Sequence, residues 1–433
     1  MTTLILGGGI SGLMAARVLQ EKKHDYLLLE RCPTVGGLTR TVEVGEFCFD
    51  YTGHFLHLSR YSTPADIPYA NLDNKEWRRV ERRSCCFVGD ALVPAPIQYN
   101  LAELSSDLFS ACVESYNNRQ ILLNNENATF RDYIVSGFGQ ALADLFLIPQ
   151  NEKTMAISLD RLSRNAVRRF FPAPDENLVR LGMTRNHGER ASGYNSTFWY
   201  PEVGGIELLV QGLRAGIKSY SLNQNVASVN LREKTVRTDS GDTIRWDDML
   251  SSIPLNSLCQ MTDDVELVRA SKVLSHSSTI SFNFGIRGPL PAKFAGLHWL
   301  YVPDRSIPFY RVGFYSNIGN GLCSPGYSAI YVEVGVPSEE VDRTNLIQDL
   351  QPKVMKSLEQ LGWVETRDVV CVVTHVMRHA YVHHTLERDR VVDSILSRLR
   401  EVEIVPIGRY GLWDYTSMED SMESARSAAL ENI

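Results

Sequence analysis

Residues 3–31 read TLILGGGISGLMAARVLQEKKHDYLLLER, and this stretch decides the fold. Leu4–Leu6 and Tyr26–Leu29 are short apolar runs of the kind found in buried strands, and residues 11–20 carry apolar side chains at helical spacing. A glycine-rich turn separates the first apolar run from the helical segment. The order strand, tight turn, helix, strand predicts a Rossmann-type unit that binds a dinucleotide.

Three glycines at G-x-G-x-x-G spacing form that turn, and each has a physical role. Gly7 permits the tight turn, Gly9 lets a pyrophosphate approach the backbone, and Gly12 lets the helix pack closely on the strand. The N-terminus of the helix offers unpaired N–H groups and the positive end of the helix dipole to the phosphates. Glu30 ends the second strand, where it can accept hydrogen bonds from a ribose hydroxyl.

The segment after the second strand distinguishes between dinucleotides. It reads RCPTVGGLTRT over residues 31–41 and contains a second glycine pair, Gly36 and Gly37. A glycine pair soon after the acidic strand end resembles the extended signature of FAD-binding folds of the glutathione-reductase and amine-oxidase type, so FAD is the favoured cofactor. The predicted cofactor contacts in this region are the glycines and Glu30 named above, together with Ile10, Ser11, Arg31, Leu38 and Thr39.

Composition and charge argue against several classes of function. The chain has 433 residues, of which 44% are hydrophobic and 22% charged, as in an ordinary globular protein. Its 44 basic and 51 acidic residues give a net charge of −7, which argues against a nucleic-acid partner because such proteins carry a basic face. There is no signal-peptide pattern and no apolar run of about 20 residues, so we expect a cytoplasmic protein without a membrane-spanning segment.

Neither the cysteines nor the histidines are spaced as metal ligands. The eight cysteines are scattered without a C-x-x-C pair, so reduced thiols are expected. Four histidines of the C-terminal part have no carboxylate at ligand spacing: His375, His379, His383 and His384. No metal site is predicted.

The rest of the chain divides into regions by pattern. Helical periodicity dominates residues 101–185, which we interpret as a helical cap. Strand-like runs dominate residues 61–100 and 266–399, which we interpret as an antiparallel sheet beside a substrate pocket. The predicted FAD-binding domain is discontinuous and comprises residues 1–60, 201–265 and 400–433. The expected fold class is therefore α/β, with a Rossmann-like FAD-binding domain, a helical cap and an antiparallel substrate sheet.

Five stretches, found in family order along nearly the whole chain, resemble the UDP-galactopyranose mutases. The resemblance is greater to the eukaryote-like and protoporphyrinogen-oxidase-like branch than to the compact bacterial one. The segments PFYRVGFYSN and GRYGLW are the most specific parts of it. The stretches are GGLTRTVEVGEFCFDYTGHFLH (36–57), FLIPQNEKTMAISLDRLS (146–163), FWYPEVGGIELL (198–209), HWLYVPDRSIPFYRVGFYSN (298–317) and GRYGLWDYTSMEDSMESA (408–425).

The resemblance implies an isomerase of carbohydrate biosynthesis that interconverts the pyranose and furanose forms of a nucleotide-diphosphate sugar. In that family FAD is active in its reduced form, its N5 atom forms an adduct with the sugar, and NAD(P)H is a candidate reductant. UDP-galactose is the family default, while the sequence leaves the sugar, the nucleotide and the oligomeric state open. The alternatives are an FAD-dependent oxidase or desaturase of the protoporphyrinogen or amine oxidase type, and a non-catalytic FAD-binding relative.

The implied reaction needs arginines, because planar guanidinium groups bind phosphates in a bidentate manner. Arg311 matches the family arginine that contacts the substrate diphosphate, and Arg409 matches one near the flavin and the diphosphate. Arg169 is the third candidate and Arg168 its alternative, because Ala166 stands where the family often has tryptophan. The resemblance also implies substrate-side roles for Tyr381, Tyr415 and Asn317, an adenine contact for the Val226 backbone, and flavin-side contacts for Gly408, Ser417 and Met418.

The stretch FDYTGHFLHLSR, residues 49–60, places two histidines next to a glycine. A metal site, a catalytic base and a backbone segment lying against a flat ligand are the three explanations, and no third metal ligand is near. The resemblance implies that Gly53 and the His54 backbone lie against the flavin, and that His57 is a packed or hydrogen-bonded core histidine. Thr52 stands where the family usually has glycine, and its β-branched side chain stiffens the backbone.

Overall fold

The structure, a computed structural model, describes residues 2–122, 127–166, 175–184 and 196–431, and it confirms the predicted α/β fold. The strands are β1 (Thr3–Leu6), β2 (Tyr26–Leu29), β3 (Thr41–Val44), β4 (Phe47–Asp50), β5 (Trp77–Glu81), β6 (Ser84–Val88), β7 (Ala91–Pro94), β8 (Thr197–Pro201), β9 (Tyr220–Ser221), β10 (Val226–Asn230), β11 (Thr235–Thr238), β12 (Thr243–Arg245), β13 (Asp248–Ser251), β14 (His276–Arg287), β15 (Trp299–Tyr301), β16 (Arg311–Phe314), β17 (Tyr327–Pro337), β18 (Val369–Val382) and β19 (Ile404–Pro406). The helices are α1 (Ile10–Glu21), α2 (Ser106–Asn117), α3 (Phe130–Phe138), α4 (Gln140–Leu142), α5 (Ile148–Met155), α6 (Glu176–Gly182), α7 (Glu207–Arg214), α8 (Leu255–Met261), α9 (Val265–Ser271), α10 (Leu346–Gln360), α11 (Arg388–Arg400), α12 (Gly408–Gly411) and α13 (Met418–Glu431).

A parallel five-stranded sheet forms the centre of the Rossmann-like part, in the order β19-β13-β1-β2-β9. β1 lies between β13 and β2, so that Thr3 is level with both Asp248 and Tyr26. All four side chains of β1 are buried, as expected for a parallel strand with covered faces. The strands come from distant parts of the chain, which brings the predicted discontinuous segments together in one sheet.

Helix α1 packs against α13, and small side chains allow the close contact. Ala15 and Ala16 of α1 and Ala425 and Ala429 of α13 are fully buried in the same apolar cluster. Because α1 and α13 begin at the same cavity, this packing holds the first and last helices of the chain together beside it.

A seven-stranded sheet, in the order β18-β14-β17-β16-β15-β6-β7, forms the second large layer. Alternation along its strands separates two faces. Apolar residues such as Phe282 and Phe284 of β14 and Val332 of β17 pack in a cluster with Val354 and the rest of one face of α10. The alternate residues, which include Glu333, lie on the opposite face, so this strand pattern directs polar side chains toward the interior of the protein.

The expectation that this sheet is antiparallel holds for every pair except one. β6 and β15 pair in parallel, with Trp299 level with Ser84 and Tyr301 level with Cys86. A short turn between two strands makes them antiparallel. No short turn joins β6 to β15, because the β6–β7 hairpin comes from a much earlier part of the chain, so these two strands can pair in parallel. The sheet is therefore mixed.

The helical cap has its own apolar core, in which Phe130, Ile134 and Phe138 of α3 are fully buried. α4 continues into α5 through a π-helical turn at Ala143–Leu147, and Phe146 and Leu147 of that turn line a cavity of about 1000 Å³. In the described ranges, no helix combines the length and apolar character that crossing a bilayer requires.

Candidate functional site

One cavity of about 1000 Å³ is lined by the Rossmann-like part, the seven-stranded sheet and the cap. This volume is at the upper end of the range for ligand pockets. The sequence-predicted residues that line it are Gly7, Gly9, Ile10, Ser11, Glu30, Arg31, Gly36, Gly37, Leu38, Thr39, Gly53, His54, Val226, Arg311, Tyr381, Arg409, Tyr415, Ser417 and Met418. Most of the predicted contacts, which are far apart in sequence, therefore surround one space.

The turn between β1 and α1 has the geometry that a dinucleotide pyrophosphate requires. A Cβ at Gly12 would overlap the carbonyl oxygen of Gly7, so glycine is needed for α1 to approach β1 this closely. The first turn of α1 has no acidic residue, which leaves the positive helix end available to an anion. Glu30 accepts the N–H groups of Gly8 at 2.7 Å and Cys32 at 2.8 Å, and it keeps lone pairs for a ribose hydroxyl.

The N-terminus of α13 lies at the same cavity, and its first-turn carboxylates are satisfied within the protein. Ser417 and Asp420 form a capping pair in which the Ser417 hydroxyl donates to the Asp420 carboxylate at 2.7 Å. The buried carboxylate of Glu419 accepts backbone N–H groups from all three residues 59–61. These bonds fix the segment that follows His54 against the start of α13.

The loop Thr52–Gly53–His54 lies between the Rossmann-like part and the sheet. The His54 N–H donates to the Thr52 carbonyl at 2.7 Å, which closes a tight turn. A Cβ at Gly53 would overlap the hydroxyl group and ring of Tyr331, a fully buried side chain of β17. Glycine is therefore required here for close packing, and the loop backbone is held directly over the sheet.

A row of side chains crosses the cavity face of the sheet below that loop. Tyr301 of β15, Arg311 of β16 and Glu333 of β17 are level with one another in register. The Arg311 Nε and Nη2 atoms donate to the two carboxylate oxygens of Glu333, each at 2.7 Å. Glu333 is 1% exposed and Arg311 17% exposed, so this is a buried bidentate ion pair that leaves the Nη1 edge of the guanidinium group for a ligand.

Arg409 supplies a second guanidinium group from α12. Its Nη2 donates to the Ala380 carbonyl at 2.9 Å and its Nη1 to the Thr416 carbonyl at 3.2 Å. Its guanidinium carbon lies 4.3 Å from the centre of the Tyr415 ring. Among the described residues, no carboxylate forms an ion pair with Arg409. A half-buried cation without a counter-charge favours an anionic ligand in the cavity.

Two predicted tyrosines lie beside this arginine. The rings of Tyr381 and Tyr415 are 5.5 Å apart, and the guanidinium carbon of Arg409 lies 5.6 Å from the centre of the Tyr381 ring. Burial raises the pKa of both hydroxyl groups, so each is a neutral hydrogen-bond donor at physiological pH. The arrangement can hold an anion through two arginines and neutral phenolic donors.

The side chain of His54 is not suited to act as an acid. Burial, with Arg311 and Arg409 as additional causes, lowers its pKa to about 3. Its Nδ1 atom is buried and has no hydrogen-bond partner in the described part of the chain. The Nδ1–H group of His57, by contrast, donates a hydrogen bond to the Thr197 carbonyl oxygen at 3.0 Å, so Nδ1 carries the proton in this tautomer. The structure thus gives His57 a hydrogen bond of the kind expected.

Several histidines lie wholly or partly inside the protein and are neutral in the folded state. Burial lowers the pKa of six of them from 6.5 to about 3 or 4, namely His54, His57, His298, His375, His379 and His383. The unfolded chain binds protons as the pH falls below 6.5, whereas the folded protein does not until the pH nears 4, so stability is lost on acidification. Burial raises the pKa of Asp50 to about 6, so this carboxyl group favours the folded state on acidification. It is a single group, whereas six histidines act in the other direction.

We therefore expect the unfolding temperature to decrease as the pH falls from 6.5 toward about 4, with roughly 1 kcal/mol lost per pH unit for each such histidine. Thermal unfolding in buffers of equal ionic strength measures this. His375→Phe is a suitable variant, because it keeps a ring against Tyr51, whose centre lies 4.0 Å from that of His375, but cannot titrate. This variant should show a shallower pH dependence, and a flat wild-type profile would contradict the expectation.

The cavity is positively charged although the chain as a whole is negative. Its described lining contains two carboxylates, Glu30 and Glu333. It contains six arginines, namely Arg31, Arg40, Arg82, Arg311, Arg378 and Arg409. The excess of arginines over carboxylates suits a cavity that binds more than one phosphate group.

Three predicted residues in the described part of the chain are not among the residues that line the cavity, namely Gly12, Asn317 and Gly408. The Nδ2 atom of Asn317 donates to the carbonyls of Phe294 and Leu297 at 2.8 and 2.6 Å. Gly12 and Gly408 act through packing: a Cβ at Gly408 would overlap the Ser11 side chain. Arg169 and its alternative Arg168 lie outside the described residues.

Sequence reasoning missed several residues of the site. Glu333 was one, although a glutamate within the apolar strand sequence YSAIYVEVGV is a signal of a buried charge that needs a partner. Tyr301 and Gln150 also line the cavity, and Gln150 donates to the Tyr310 carbonyl at 3.1 Å. Their polar groups lie in otherwise apolar segments, but nothing local shows which face of the fold they occupy.

The comparisons with known proteins agree with the local pattern. Residues 5–66 match the family model described as an NAD(P)-binding Rossmann-like domain. Over 56 residues the chain is 39% identical to an uncharacterised protein from the nifH2 3′ region of Methanothermococcus thermolithotrophicus. This match covers 13% of the chain and 54% of that relative, so it spans about half of the relative's length.

The whole fold is similar to those of solved structures of low sequence identity. A reduced UDP-galactopyranose mutase has a TM-score of 0.89 at 23% identity, with 99% of this chain and 94% of that chain covered. A putative protoporphyrinogen oxidase from Exiguobacterium has a TM-score of 0.78 at 18% identity, with 100% and 98% covered. These similarities confirm the fold that the sequence resemblance predicted.

Proposed function

We propose that the protein is an FAD-dependent nucleotide-sugar mutase, an isomerase that interconverts pyranose and furanose forms of a UDP-galactose-like substrate. The observation that carries this proposal is the pair Arg311 and Arg409, which come from separate parts of the fold and line one cavity with Tyr381 and Tyr415 beside the Gly53 loop. The fold similarity to a UDP-galactopyranose mutase supports it. NAD(P)H is the proposed reductant.

The residues present fit FAD. The close approach at Gly12, the acid-free start of α1 and the Glu30 carboxylate form a cradle for the adenosine and pyrophosphate groups. Gly36, Gly37, Gly53 and the start of α13 line the same cavity and would hold the remainder of the cofactor. When bound and reduced, FAD supplies the nucleophile for the anomeric carbon of the sugar.

The chain's own residues bind and orient the substrate. The free edge of Arg311 and the uncompensated Arg409 bind the diphosphate and stabilise the charge that develops when its bond to the sugar breaks. Tyr381 and Tyr415 donate neutral hydrogen bonds, because burial raises their pKa. His54 is neutral, and Glu333 is bound to Arg311, so neither is placed to act as a general acid.

Reduction tests the proposal. The purified protein should carry yellow FAD, and dithionite under anaerobic conditions should switch on the interconversion of UDP-galactopyranose and UDP-galactofuranose, which the oxidised protein does not catalyse. Product formation is measured by chromatography of the UDP-sugars. A protein that binds no flavin would overturn the proposal. Oxygen-dependent peroxide formation that is independent of nucleotide would instead support the oxidase alternative.

A further inference from the structure

Thr52 connects the loop above the sheet to the buried ion pair. Its hydroxyl donates to Oε1 of Glu333, and that same oxygen accepts Nη2 of Arg311. Thr52 is 5% exposed and Glu333 1% exposed, so solvent does not compete for these bonds. Glu333 is therefore bound by the loop from one side and by the arginine from the other.

The loop itself fixes the position of the Thr52 hydroxyl. The Thr52 carbonyl accepts the His54 N–H, and Gly53 between them packs on Tyr331. Thr52 is β-branched, which restricts the rotation of its side chain. The hydroxyl is thus held in place by the backbone of the segment that lines the cavity.

A fixed hydroxyl has a consequence for Arg311. The last torsion of a glutamate is broad, so a carboxylate bound on one side only can rotate about it. Bidentate pairing requires the carboxylate and guanidinium planes to align. By holding Oε1, Thr52 fixes the plane of the Glu333 carboxylate, and that plane determines which edge of Arg311 is presented to the cavity.

We propose that Thr52 is a positioning residue for anion binding, acting through Glu333 on Arg311. The affinity of the site for a nucleoside diphosphate then depends on the Thr52 hydroxyl, although this group does not touch the ligand. The inference rests on the proposed function, because it takes a nucleoside diphosphate as the ligand of Arg311.

Substitutions that separate the hydroxyl from the shape of the side chain test the inference. Thr52→Val keeps the branched shape without the hydroxyl, Thr52→Ala lacks both, and Thr52→Ser keeps the hydroxyl. Isothermal titration of the FAD-loaded proteins with UDP measures the dissociation constant. We expect UDP to bind about tenfold more weakly to the Val and Ala variants, in line with a lost hydrogen bond to a charged group. The Ser variant should restore the affinity to within about twofold.

A double-mutant cycle shows whether the effect passes through Arg311. Lysine has no fork that can pair with both oxygens of Glu333, so the effect of Thr52→Val should disappear in an Arg311→Lys background. A purely structural role of Thr52 would lower the unfolding temperature equally in both backgrounds and would leave UDP affinity unchanged.

The outcomes distinguish the inference from the proposed function. If the wild-type protein binds UDP and both hydroxyl-free variants bind it equally well, the inference is overturned and the proposed function stands. If the tenfold loss persists in the Arg311→Lys background, the route through Arg311 is overturned. If the FAD-loaded wild-type protein binds no UDP, the proposed function fails and the inference fails with it.

Discussion

Replacing Arg311 by alanine is expected to weaken UDP binding at least about 100-fold and to abolish mutase activity, while FAD remains bound. Truncating one member of a buried, hydrogen-bonded charge pair at a binding interface costs about 2–5 kcal/mol of binding free energy. A 100-fold weaker affinity corresponds to roughly 3 kcal/mol, which lies within this range. The free edge of Arg311 lines the cavity, and tyrosines alone do not replace its charge. Titration of the FAD-loaded variant with UDP measures the loss.

The Arg311→Ala variant needs a control for stability, because it leaves the Glu333 carboxylate without its partner. Glu333 would remain buried without a counter-charge, so FAD content and unfolding temperature have to be measured together with UDP affinity. Arg378→Ala is a matched control, because Arg378 also lines the cavity but pairs with Asp342 on the exposed side. It should bind UDP nearly as tightly as wild type. Unchanged UDP affinity in Arg311→Ala would argue for the oxidase alternative.

The Rossmann-like part of the fold was predictable because its determinants are local. The spacing of Gly7, Gly9 and Gly12 reflects a backbone turn that a few consecutive residues fix, and Glu30 follows at the end of the next strand. In the structure the same residues produce the close contact of α1 with β1 and the bonds from the turn to Glu30. No distant contact has to be known for this inference.

The ion pair below the loop Thr52–Gly53–His54 was less predictable because it depends on strand register. Arg311 and Glu333 are far apart in sequence and meet only because β16 and β17 pair with these two residues level. Shifting the register by one residue would place one of them on the apolar face. The sequence shows a charged residue in each strand, but it does not show that the two face each other.

Asn317 shows the reverse case, in which the structure places a residue of a family-like segment away from the cavity lining. Its position in PFYRVGFYSN predicted a polar residue of the pocket, but the short helical turn Tyr315–Asn317 directs its amide to two backbone carbonyls. A single-residue change in how a strand ends reverses the direction of the following side chain. Resemblance gives the residue type at a position, whereas the local turn decides what the side chain contacts.

The charge of the cavity also follows from its position rather than from composition. The chain has a net charge of −7, yet the cavity lining has more arginines than carboxylates. Because burial strengthens electrostatic interactions, a few arginines held at the interior determine which ligands are favoured there. The overall charge is informative about large basic partners such as nucleic acids and uninformative about this site.

Replacing Glu333 by glutamine is expected to lower the free energy of unfolding by about 3 kcal/mol, because the guanidinium group of Arg311 would stay largely buried without its counter-charge. A double variant, Glu333→Leu with Arg311→Met, removes both charges and should recover most of that loss, since buried ion pairs are often replaceable by apolar residues of similar volume. Urea unfolding of the two FAD-loaded variants, compared with wild type, measures both values. A double variant that is less stable than Glu333→Gln would contradict this explanation. It would mean that the attraction within the ion pair exceeds the desolvation cost of the two charges. The instability of Glu333→Gln would then not come from the unpaired charge of Arg311.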